Sequence, residues 1–287
     1  MWNLKNKTVV ISGATNGIGK AAAIELSKEN PNLLFIYRNQ DLANELLAEI
    51  KVLSPSTQVQ SVYCDFSNQG SVKQCADEIN HLCGDIDVLI NNAGVVNTSY
   101  HENSEGIENT FAVNHLGYFL LTNLLLNKLK GGNESRIINV SSAAHSFVKE
   151  IQWGDINFKN NFGQGLRPYG QSKLANLLFT RYLATKLSTE TVSVNAIHPG
   201  GVNTSLGSQN KAWYSKPLRL ILRPFFRSPL KGAESIIYLA TKQDDGITGE
   251  YFVDSKIHKS TAYSKNLEAA HKLWSISEEL VNQTFDL

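Results

Sequence analysis

Cysteine, net charge and long apolar runs are all scarce in this 287-residue chain, and each scarcity excludes something. The only cysteines are Cys64, Cys75 and Cys83. An odd number in one short stretch is not a disulfide framework, and the C-x2-C spacing of a zinc site is missing. Basic residues number 27 and acidic residues 26, a formal charge of +1. A general nucleic-acid binder usually shows a basic excess, so nucleic acid is not an expected partner. No run approaches the length of a membrane-spanning helix. The opening Met1-Trp2-Asn3-Leu4-Lys5 leads into no apolar signal region. His115, His145 and His198 fall in distinctive segments but not at metal-ligand spacing, so no metal is expected. A reduced, cytoplasmic protein is the expectation.

What is present is a pattern. Hydrophobic residues make up 42% of the chain, enough for a large core. Short β-branched runs alternate with helical stripes. Strands are expected at Thr8–Ile11, Leu33–Tyr37, Val59–Tyr63, Asp87–Ile90, Arg136–Val140 and Val192–Ile197. Helices are expected over 17–29, around Leu42 to Ile50, over 70–83, 105–129 and 169–187. Apolar strands alternating with amphipathic helices specify βαβ units. The fold class is α/β, a Rossmann-type doubly wound parallel sheet with helices on both faces, in one domain over 1–287. Two segments interrupt the alternation: 143–168, and the proline-bearing 203–230. Loops of that length are usually functional or disordered.

The first strand runs into Gly13-Ala14-Thr15-Asn16-Gly17-Ile18-Gly19. Glycine permits positive φ and close backbone approach. A strand, a glycine turn and a helix N-terminus together form an anion site suited to a pyrophosphate. Gly13, Asn16, Gly17, Ile18 and Gly19 are therefore candidate cofactor contacts. At the end of the second strand a carboxylate would hold the ribose hydroxyl of NAD. Here Tyr37-Arg38-Asn39 has no acid, and Arg38 suits a 2′-phosphate, which points to NADP(H). At the end of the fourth strand, Asn92, Ala93 and Gly94 leave room for a flat ring.

Tyr169 and Lys173 stand one helical turn apart on one face. A nearby ammonium stabilises a phenolate and brings a tyrosine into the range of acid–base work. Ser141-Ser142 follows the fifth strand, at the same end of the sheet. No G-x-S-x-G elbow surrounds it, so a hydrogen-bonding role fits better than a nucleophilic one.

In this combination the sequence resembles the short-chain dehydrogenase/reductase superfamily. The glycine turn, Asn91-Asn92-Ala93-Gly94, Asn114, Ser142, Tyr169 and Lys173 match that family's motifs in order. The resemblance implies that Ser142 orients a carbonyl oxygen and Tyr169 donates or accepts the proton. It implies that Lys173 lowers the tyrosine's pKa and contacts the nicotinamide ribose, and that Asn114 holds a relay water. It also implies that Asp65 and Phe66 lie at the adenine, and that Pro199, Gly200, Val202 and Thr204 lie at the nicotinamide amide.

A closer resemblance is to the retinol dehydrogenase-like branch, through Phe111–Thr122, Ser172–Asn176, Arg223–Phe226 and Leu273–Leu280. It implies a small lipophilic carbonyl or alcohol substrate and a monomer or homodimer. Residues 205–232 carry six bases and no acid among apolar residues such as Trp213, Leu218 and Phe225. They are expected to form a lid over the substrate, with a peripheral membrane surface as a further contact. Two other readings are kept: a carbon–carbon double-bond reductase of protochlorophyllide-reductase type, and a nucleotide-binding scaffold without turnover.

Overall fold

A computed structural model describes residues 2–132, 134–202, 227–242 and 246–286. The expected contact Thr204, and most of the expected lid, lie outside these residues.

The described strands form one sheet. They are β1 (Thr8–Ser12), β2 (Asn32–Tyr37), β3 (Gln58–Tyr63), β4 (Val88–Asn91), β5 (Ser135–Val140), β6 (Val192–His198), β7 (Tyr251–Val253) and β8 (Lys256–Ile257). Their spatial order is β3-β2-β1-β4-β5-β6-β7-β8. All neighbours run parallel except the final pair, β7 and β8. The order reverses between β1 and β4, and a crevice forms at such a switch point, beyond the carboxyl ends of the strands.

Helices cover both faces: α1 (Gly17–Ser27), α2 (Gln40–Leu53) and α3 (Gln69–Leu82) come first. The period-two alternation of the strands divides the core. Val9, Ile11, Leu33 and Phe35 join Ala22, Leu26 and Leu46 of α1 and α2 on one face. Val10, Leu34 and Ile36 join Val72 and Ile79 of α3 on the other.

The long helix expected over 105–129 is instead built in pieces. They are α4 (Asn109–Phe111), a π turn at Ala112–Leu116, α5 (Gly117–Leu124) and α6 (Leu126–Lys130). The π turn swings Asn114 inward. Its Oδ1 accepts from Val95 N at 2.8 Å, and its Nδ2 donates to Val95 O at 3.0 Å and Ser172 Oγ at 3.0 Å. Such bulges re-aim a side chain at the cost of one wide turn.

The segment 143–168 holds three short 3-10 turns and then the start of α7 (Leu166–Lys186). Pro229, read above as part of an irregular stretch, opens α8 (Pro229–Thr241), where a proline's missing N–H costs nothing. The last described helix is α9 (Leu267–Val281). It packs over α5 and α7, setting Trp274 against Phe119 and Phe179. Among the described residues no helix is long and apolar enough to cross a membrane.

Candidate active site

Beyond the carboxyl ends of the central strands lies a cavity of about 520 Å³. That is within the range of small-molecule and cofactor sites. One end is walled by Gly13, Asn16, Gly17, Ile18, Gly19, Arg38, Asp65 and Phe66. The other end is walled by Ser142, Tyr169, Lys173, Pro199, Gly200 and Val202, with Asn92, Ala93 and Gly94 between. The cavity thus collects the described sequence candidates, except Asn114, which stands behind Val95 and Ser172. It also takes in Thr15, Cys64, Val95 and Val113, which the motif reading did not single out. Thr15 and Val95 adjoin motif residues and were within reach of it. Cys64 and Val113 look like ordinary core positions in the sequence.

The glycine turn is close-fitting. Gly13 and Gly17 have φ of +64° and +54°, conformations that strain any other residue. A Cβ on Gly19 would lie 2.3 Å from Gly13 O and 2.4 Å from Asn92 Nδ2. Ser12 and Asn92 hold the turn in place. Ser12 Oγ accepts from Asn92 N at 2.9 Å and Ala93 N at 3.1 Å. Asn92 Nδ2 donates to Ser12 O at 2.9 Å and Gly13 O at 3.1 Å. A close-fitting glycine turn at the N-terminus of α1 fits the pyrophosphate of a dinucleotide.

At the β2 end, Arg38 Nη1 lies 3.9 Å from Asp65 Oδ1, with the arginine side chain 62% exposed. An exposed pair at that distance is weak, and the same carboxylate oxygen already accepts from Ser67 N and Oγ. The guanidinium is therefore available to a stronger anion. Asn39, where an acid would select a ribose hydroxyl, caps α2 by accepting from Leu42 N at 3.1 Å.

The two serines after β5 part ways. Ser141 Oγ donates to Lys173 O at 2.8 Å and ties β5 to α7. Ser142 Oγ accepts from Ala144 N at 3.1 Å and lines the cavity in hydrogen-bond contact with the Tyr169 phenol. Lys173 Nζ donates to Val140 O at 2.9 Å and lies 5.7 Å from the ring centre of Tyr169. Burial dominates both titrations in the ligand-free chain. It raises the Tyr169 phenol, opposed by the Ser142 hydrogen bond, and it lowers the Lys173 ammonium to about 7. Lys173 is thus poised to gain or lose its proton near neutrality, and a phenolate at Tyr169 would favour its charged form.

Two more groups bear on the site. Tyr118 is fully buried, donates to Ala93 O at 2.8 Å and lies with its ring 5.7 Å from Lys173 Nζ. Its place four residues after Asn114 was the one sequence signal for it. Asn91 does not face the cavity. It begins a buried polar ladder across the sheet, donating to Thr122 Oγ1 and Asn139 Oδ1, while Asn139 donates to Thr180 Oγ1. His115 is likewise buried, within 2.9 Å of Ser277 Oγ, and burial depresses it to about 3.

A sequence model of the family described as short chain dehydrogenase matches residues 7–215. Retinol dehydrogenase 14 of Mus musculus is 38% identical over 97% of this chain and 86% of its own length. Short-chain dehydrogenase TIC 32 B, a chloroplastic protein of Brassica napus, is 34% identical over 97% of this chain and 89% of its own. The crystal structure of an uncharacterised protein from Mycobacterium paratuberculosis superposes with a TM-score of 0.79 at 28% identity, covering 100% of this chain and 97% of that one. With its glycine turn, its switch-point cavity and these relatives, the chain belongs to the short-chain dehydrogenase family, in the retinol dehydrogenase-like branch.

Proposed function

We propose that this chain is an NADP(H)-dependent oxidoreductase that interconverts a carbonyl and an alcohol on a small lipophilic substrate of retinoid, steroid or lipid-aldehyde type. The family and fold imply a nicotinamide cofactor. The observation that carries the reading is the single cavity with the glycine turn and Arg38 at one end and Ser142, Tyr169 and Lys173 at the other. The absence of an acid after β2, with Arg38 only weakly engaged, supports a 2′-phosphate and hence NADP(H). The names of relatives such as retinol dehydrogenase 14 support the substrate class.

When bound, the nicotinamide supplies or accepts the hydride. The chain's own residues handle the oxygen and its proton. The Ser142 hydroxyl, with one lone pair engaged by Ala144 N, donates a hydrogen bond to the substrate oxygen. In the reducing direction Tyr169 gives its proton to the forming alkoxide. The phenolate left behind is stabilised by Ser142 and by Lys173, whose ammonium that negative charge favours. The side-chain amide of Asn114 is spent on Val95 and Ser172. A relay water would therefore rest on its main-chain carbonyl. A homodimer through α5 and α7 would need a face that α9 already covers, which favours a monomer. A cytoplasmic location belongs to the same proposal, supported by three free cysteines.

The test is a panel of aldehydes, ketones and their alcohols, including all-trans-retinal, retinol and steroid ketones, assayed with NADPH/NADP and NADH/NAD in parallel. NADPH-linked turnover of at least one apolar carbonyl is expected, with the preference reversed toward NADH in Arg38→Asp. Background NADPH consumption across the panel favours the scaffold reading instead. Reduction of protochlorophyllide alone favours the double-bond reductase.

A further inference from the structure

His145 follows Ser142 by three residues, is 5% exposed, and has no part in the chemistry described so far. Its Nδ1 lies 2.7 Å from Ser142 O, which also accepts from His145 N at 3.1 Å. Its Nε2 accepts from Thr261 N at 3.3 Å. The ring packs edge-on against Tyr251 at 5.3 Å. These contacts fix the tautomer: a carbonyl faces Nδ1, so Nδ1 carries the proton, and an N–H faces Nε2, so Nε2 is bare. Thr261 is itself anchored. Its carbonyl accepts from Ser264 Oγ, and Arg181 of α7 donates to Ser264 O, Ser264 Oγ and Ser260 Oγ.

We propose that His145 is a positioning residue for Ser142: a neutral Nδ1–H imidazole that braces the serine's carbonyl against the 258–265 segment and so sets the direction of its hydroxyl. The brace matters because Ser142 opens a short 3-10 turn, Ala143–Phe147, rather than lying within a strand or a long helix. A second fixed point, from a part of the chain more than a hundred residues away, keeps that turn from pivoting. Burial keeps the ring neutral, holding His145 below its ordinary value against the opposing bond to Ser142, with Arg181 adding to the effect. The inference rests on the proposed role of Ser142.

Two substitutions separate bracing from mere packing. His145→Asn keeps a donor where Nδ1 stands and loses the ring. His145→Phe keeps the ring against Tyr251 and loses both hydrogen bonds. With all-trans-retinal and NADPH, His145→Phe is expected to lose roughly tenfold to a hundredfold in kcat, the scale of small misplacements of reacting groups. His145→Asn is expected to stay within a few-fold of wild type. Melting temperatures are expected in the reverse order, with His145→Asn the less stable. In a Ser142→Ala background, His145→Phe is expected to add no further loss.

Independently of any substrate, 15N spectra of the histidine-labelled chain, assigned with these variants, are expected to show His145 as the Nδ1–H tautomer at neutral pH. An Nε2–H or doubly protonated ring overturns the proposal. So does kcat that follows melting temperature across the two variants. If Ser142→Ala itself keeps wild-type kcat, the role of the serine falls and this inference with it. If Ser142→Ala is inactive while His145→Phe is not, this inference alone falls.

Discussion

Single atoms decide most at the glycine turn and at Lys173. A methyl group at position 19 would meet Gly13 O and Asn92 Nδ2, both fixed by the bonds between β1 and β4. Gly19→Ala is therefore expected to cost about 1–3 kcal/mol of stability, as overpacking does. It should also abolish NADPH binding at concentrations that saturate wild type, read by the cofactor's fluorescence. Wild-type affinity in this variant contradicts the assignment of the turn. Lys173 ordinarily titrates at 10.5, and burial lowers it to about 7 in the ligand-free fold. Between those pH values the unfolded chain binds one proton more than the folded chain, so stability rises with pH across the window. Below about 7 both states hold the proton, and the full cost of burying it is carried. Lys173→Met removes this titration. The wild-type minus variant difference in urea unfolding free energy should thus climb from about pH 7 to about pH 9. A flat difference contradicts the buried, weakened ammonium.

Among the elements, the sheet was legible in the sequence because burial on both faces leaves strands such as Val9-Val10-Ile11 uniformly apolar. The interrupted helix was not. From Phe111 to Leu121 nearly every residue is buried, so no stripe marks where the ladder widens at Asn114. The wide turn accompanies side-chain bonds from Asn114 to Val95, which periodicity does not register. The polar ladder was hidden for a similar reason. Asn91 reads as part of a turn motif and Thr180 as a helix residue, and only the sheet order brings them to either side of Asn139. Asn139→Ala would leave the amide of Asn91 short of an acceptor and Thr180 Oγ1 short of a donor in a dry core. A loss of about 1–3 kcal/mol is expected, by the usual cost of an unsatisfied buried group, measured by chemical denaturation. An unchanged midpoint contradicts a ladder that stabilises the sheet.

Across the whole molecule, the sheet order gathers the ends of separate strands into one cavity, and α9 closes the far side of the helices that carry the site. Leu273, Trp274 and Val281 of α9 are buried. At about 1.5–3 kcal/mol for each fully buried apolar side chain, losing them is large against the roughly 5–15 kcal/mol net stability typical of a folded domain. A chain ended after Lys265 is expected to lose its cooperative thermal transition, and a near-wild-type melt contradicts that role. The motifs that named the site were legible because the chemistry requires particular residues. The substrate was not, because pocket shape depends on how distant loops meet. The proposed role of Tyr169, proton donor of a carbonyl reductase, is tested most directly by the steady-state rate of Tyr169→Phe beside its affinity for NADPH. A fall in kcat of at least about 100-fold is expected, the scale of lost acid–base assistance, with NADPH bound as in wild type. Turnover within a few-fold of wild type would contradict it.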